Sequence, residues 1–163
     1  MRRVVAFVLA AVAAVVLQTT VFPVFVPAWL APNLLLVLVV YLGFHQFGPT
    51  GAAGAFLMGY VLDTFSGTLL GLHALAFTVV YLGVQQVARV LWTESGVPAV
   101  LIVFIAGIVD ALLVRCLASL VAGGGGAAWT TWATTMMQAL AAAVVAPAVF
   151  RLVSGERRTV AVA

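Results

Sequence analysis

From Val4 to Leu62 the chain carries no charged side chain, and the first one to interrupt the run is Asp63. A water-soluble fold needs charge to cover its surface, and a run this long has none to place there. The remainder barely relieves the shortage. The 163 residues hold seven basic and four acidic side chains, 66% are apolar, and the mean hydropathy is +1.29. The solvent such a chain is built for is hydrocarbon.

At about 20 residues per span, the length accommodates six transmembrane helices and short links. It leaves no room for a soluble domain of even ~50 residues, so a single integral membrane domain over residues 1–163 is expected. Function must then reside in intramembrane residues or in faces shown to partners. All seven basic residues are arginine, and they lie at chain ends and helix ends rather than in a patch. The net charge of +3 therefore does not indicate nucleic-acid binding. Cys116 is the lone cysteine, which removes any internal disulfide.

Apolar runs and breakers place the helices at residues 4–21, 32–44, 51–65, 70–90, 98–121 and 129–152. Met1-Arg2-Arg3 before an apolar stretch is also the layout of a signal peptide, but no small-x-small cleavage site follows cleanly. Residues 22–31 read as a rigid, uncharged turn with Pro23, Pro27 and Trp29, the last an anchor at the headgroups. Pro32 fits the first turn of the second helix. The third helix is short, roughly 22 Å against a ~30 Å hydrocarbon core. Residues 45–50, 92–96 and 123–126 are links, and Pro147 kinks the sixth helix. No internal repeat is visible. Six spans gather Arg2, Arg3, Arg89, Arg151, Arg157 and Arg158 on one side, which the positive-inside rule makes cytoplasmic together with both termini.

Gly51, Ala55, Gly59, Asp63 and Gly67 recur every four residues along the third helix. Small residues on such a ridge let another helix approach backbone to backbone. Asp63 continues the row and so faces protein, where an intramembrane carboxylate is functional or structurally paired. It could equally be solvated at the outer interface or act as a local cap with Ser66. Asp110 falls twelve residues after Pro98, about 18 Å into the fifth helix and near mid-membrane, with Gly107 one turn earlier. Arg115 is five residues further, ~140° around the helix, so it does not share a face with Asp110. It can snorkel to the outer surface, and because both lie in the outer half, a pairing of Arg115 with Asp63 is expected. His45 reads as solvated in a link, and His73 near Asp63 makes too sparse a set for a metal. No Ser-His-Asp order, phosphate loop or paired-carboxylate spacing is present, so no catalytic residue, metal or cofactor is expected.

The stretches Pro32-Asn33-Leu34-Leu35-Leu36, Gly54–Gly67 and Leu70–Leu75 resemble the rod shape-determining protein MreD family. The specific part is a G-x-x-x-D-x-x-S-G-x-x-x-G-x-x-A pattern, here Gly59, Asp63, Ser66, Gly67, Gly71 and Ala74. Where that family often has Asp after the proline of the second helix, this chain has Asn33, which keeps a polar cap and removes a charge. The resemblance implies a six-helix protein of the bacterial cytoplasmic membrane and no catalytic residues. It further implies a scaffold of cell elongation that partners MreC. Through MreC it would reach MreB filaments and the transglycosylase and transpeptidase of lateral peptidoglycan synthesis. Gly51, Ala55, Gly59, Asp63, Ser66, Gly67 and Gly71 would then form a helix-packing or partner interface, with Asp63, Asp110 and Arg115 as intramembrane charges. A homodimer is left open.

A compact six-helix bundle of this size is similar to the substrate-binding component of an energy-coupling-factor vitamin transporter, a fold the MreD family resembles. Asp63, His73 and Arg115 could line a vitamin pocket. Such a pocket needs several hydrogen-bonding groups from the outer loops, and here those loops offer mainly Pro, Gly, Ala, Thr and Trp.

Overall fold

The computed structural model describes residues 2–25, 27, 30–66, 70–90, 97–122 and 129–155. These residues form six helices and no strand. Helix α1 runs through Arg2–Val16, widens into a π-helical turn at Leu17–Val21 and ends with Phe22–Phe25. Then follow α2 (Leu34–His45), α3 (Pro49–Ser66), α4 (Leu72–Val90), α5 (Val97–Ala122) and α6 (Trp129–Gly155).

A helix that is apolar on every side has no face to offer water and ends up enclosed. Helix α2 is of this kind, and every residue from Leu34 to Gly43 is buried. It packs against all five other helices. Around it stand α3, α4, α5, α6 and α1, each in contact with the next. Among the described residues, α1 and α3 make no comparable contact. The two largest interhelical contacts are the hairpins α3–α4 and α5–α6, as short links between antiparallel neighbours require.

The inside-out pattern of a soluble protein is missing. Large apolar residues such as Leu9, Phe56, Leu57, Phe65, Leu101, Ile105, Leu140 and Val144 are exposed along the outer faces of the helices. Among the described residues, Val100–Leu120 and Trp132–Val153 are each long and apolar enough to cross a membrane.

Helix α4 starts at Leu72 instead of 70 and α6 runs to Gly155 instead of 152, and the boundaries of three other helices depart from the sequence expectation for visible reasons. Helix α1 continues past Val21 because the π turn absorbs Pro23. A proline cannot donate to the carbonyl four residues back, and here Phe22 N–H bonds Leu17 O, five back, so that the helix shifts register instead of stopping. Helix α2 begins at Leu34, since Asn33 is its cap: the Asn33 side chain accepts from Leu36 N at 3.2 Å. Helix α3 holds 18 residues and reaches ~27 Å, longer than expected, because Gly48 at φ 114° turns the chain and Pro49 opens the helix at once. The Trp29 anchor, the links at 92–96 and 123–126, and the tail with Arg157 and Arg158 lie outside the described residues. Pro147 lies inside α6.

Candidate functional site

The four-residue row on α3 faces α4 of the same chain. Gly51, Ala55, Gly59 and Asp63 are all buried. A Cβ on Gly59 would stand 2.6 Å from Ala74 N and 2.5 Å from Ala74 Cα, closer than real Cβ atoms come, so only glycine fits. A Cβ on Gly51 would strike the Tyr81 ring. Tyr81 itself is fully buried and donates its hydroxyl to Gln46 O at 2.7 Å, with Gly48 O at 3.2 Å, tying α4 to the α2–α3 link.

At the end of this row Asp63, 1% exposed, reaches across to the start of α4. Its Oδ2 accepts from Gly71 N at 2.9 Å, His73 N at 3.1 Å and Ala74 N at 3.2 Å. Its Oδ1 accepts from His73 N at 3.1 Å and lies 2.7 Å from His73 Nδ1. The first N–H groups of a helix have no intrahelical acceptor and carry the positive end of its dipole. A carboxylate there satisfies them and completes the charge, and an ionised Asp63 requires Nδ1 to be the protonated ring nitrogen of His73. Asp63 is thus the cap of α4, delivered from α3 rather than from the residue preceding the helix.

Gly71 and Ala74 serve the same elbow. Gly71 has φ 95°, a conformation open to glycine, and it turns the chain into α4. Ala74 is fully buried beneath Gly59. Ser66 is exposed and lies on the last turn of α3, its Oγ 3.5 Å from Asp63 O. Gly67 lies outside the described residues.

Asp63 and Arg115 do not pair. Helix α3 packs on α2 and α4, whereas Arg115 on α5 turns toward α6. There it donates from Nη2 to Thr135 Oγ1 and stacks over the Trp132 ring, 4.9 Å from the centroid. Asp110 is buried, as its depth in the helix requires, and Gly107 one turn earlier allows close approach to α6: a Cβ there would lie 3.0 Å from Ala139 Cβ. Asp110 borders a cavity of about 70 Å³ that also touches Asn33, Thr135 and Gln138. Across from it Gln18 of α1 donates to Pro32 O at 3.2 Å and Asn33 Oδ1 at 3.3 Å. His45, the last residue of α2, is exposed and stacks on Tyr41 with Nδ1 2.9 Å from Tyr41 O. Among the described residues no group of three His, Cys, Asp or Glu side chains could hold a metal.

A family model described as rod shape-determining protein MreD matches residues 1–154. The chain belongs to the MreD family. Membership brings a role in rod-shape determination, and with two membrane-length apolar helices it makes this a membrane protein. No curated protein and no solved structure matches the chain. The MreD-like pattern read in the sequence coincides with the α3–α4 elbow, where Gly59, Asp63, Gly71 and Ala74 form one folding device.

Proposed function

We propose that this chain is a multi-pass scaffold subunit of the bacterial cell-elongation complex. It lies in the cytoplasmic membrane as one domain with six spans and both termini in the cytoplasm. MreC is its direct partner, and through MreC it helps organise MreB filaments and the transglycosylase and transpeptidase of lateral wall synthesis. The observation that carries this reading is the family match over residues 1–154. The build of the protein suits a scaffold. The helices are joined by backbone-to-backbone packing and an interhelical cap, which makes a rigid body, and the outer faces are apolar and available to lipid and partner helices. Vitamin transport draws no comparable support from the described residues. Sites for ligands of that size run to roughly 300–1,000 Å³, several times the cavity of about 70 Å³ beside Asp110.

The test is affinity purification of the full chain from native membranes in mild detergent, with mass spectrometry of what comes along. MreC and wall synthases are the expected companions. Recovery of a coupling subunit with ATP-binding subunits instead would overturn the scaffold reading.

A further inference from the structure

Asp110 is 7% exposed, and its Oδ1 meets no hydrogen-bond donor among the described residues. The Asp110 side chain borders the cavity between α2, α5 and α6. Apolar cavities stay dry, whereas a polar cavity that offers two to four partners holds water. This one has polar walls on three helices: Asn33 at the head of α2, Asp110 on α5, and Thr135 and Gln138 on α6. Asn33 Oδ1 is committed to Leu36 N and Gln18 Nε2, which leaves the Nδ2 hydrogens of Asn33 as donors.

Thr135 borders the cavity and also accepts from Arg115. Asp110 and Arg115 leave α5 about 140° apart, and among the described residues they form no direct ion pair. Thr135 stands between them from the opposite helix. A metal cation in the cavity is disfavoured by the guanidinium one hydroxyl away and by the positive end of α2. Water fits: it can donate to Asp110 Oδ1 and to Thr135 Oγ1 and accept from Asn33. We propose that this cavity is a hydration site in which water joins the Asp110 carboxylate to Arg115 through Thr135. The result is a buried, water-bridged charge pair that locks α5 against α6 at the head of α2.

Thermal unfolding of the full chain in one mild detergent tests the pair and the water separately. Asp110→Asn, Arg115→Gln and the double variant make a cycle. The double variant is expected to lose clearly less melting temperature than the two single losses added together, and additive losses overturn the pair. For the water, Ala142, which borders the cavity and is 1% exposed, is changed to Thr or to Val. The two side chains are close in shape and helix propensity, so the main difference between them is hydroxyl against methyl. In a hydrated cavity the Thr variant melts above the Val variant. A Val variant that melts at or above the Thr variant overturns the hydration site, and this comparison stands even where Asp110→Asn fails to fold.

Discussion

Replacing Asp63 with Ala removes the carboxylate on which Gly71 N, His73 N, His73 Nδ1 and Ala74 N converge. Loss of a helix cap costs about 1 kcal/mol, with a range of ~0.5–2. The charge-assisted bond to His73 adds roughly 1.5–3 kcal/mol, and a buried N–H left unpaired, as at fully enclosed Ala74, costs ~1–3 kcal/mol. These contributions overlap, since they share one acceptor group, and about 3–5 kcal/mol is the expected total. At ~2–4 °C per kcal/mol for a chain of this size, the melting temperature falls by roughly 6–20 °C. Asp63→Asn keeps one acceptor oxygen but turns an amide toward backbone donors, so it should lose about half as much. His73→Ala leaves the backbone donors on the carboxylate and should lose least, about 1.5 kcal/mol. The assay is circular-dichroism melting of the purified full chain in detergent. The diagnostic is the order of damage, with Asp63→Ala worst, Asp63→Asn intermediate and His73→Ala mildest. An Asp63→Ala variant within about 2 °C of wild type, or a His73→Ala variant equally damaged, would refute the capping argument.

Two further substitutions probe the same hairpin. Gly59→Leu should prevent α3 and α4 from closing and abolish the monodisperse peak in size-exclusion chromatography. Gly83→Leu, where nothing lies within 4 Å of an added Cβ, should leave that peak intact. Tyr81→Phe removes the hydroxyl that bonds Gln46 O and Gly48 O and should cost ~1–2 kcal/mol, seen as faster hydrogen exchange or proteolysis at residues 46–48.

The parts of the fold carried by side-chain pattern were legible in advance. The small residues on α3 announce a close neighbour, whereas the enclosure of α2 is not legible, because a uniformly apolar stretch suits lipid as well as protein. The identity of that neighbour was harder to read, because Gly59 meets backbone, and backbone has no pattern. The same reason hid the role of Asp63. Its partners are mainly the N–H groups of Gly71, His73 and Ala74, whereas Arg115, the conspicuous opposite charge, stands on another side of the bundle. For a carboxylate at this spacing from a glycine turn, the useful clue was that a new helix starts at Leu72 and lacks a capping residue of its own. Gln18 is an amide within the charge-free run from Val4 to Leu62; it lies in the π turn of α1 and reaches Asn33. Pro23 reads as part of a rigid turn, and the register shift that accommodates it leaves no trace in composition.

On the six-span reading, the length of α2 has a consequence for the whole bundle. Twelve residues reach about 18 Å, while the hydrocarbon layer is ~30 Å thick. At least one end of the central helix must therefore stop below the headgroups, at a depth where unsatisfied backbone finds no water. Asn33, Gln18, Asp110 and Gln138 all gather around its N-terminal end. Much of the polarity this apolar chain carries in its interior can be understood as a substitute headgroup region, built inside the protein where its shortest helix runs out.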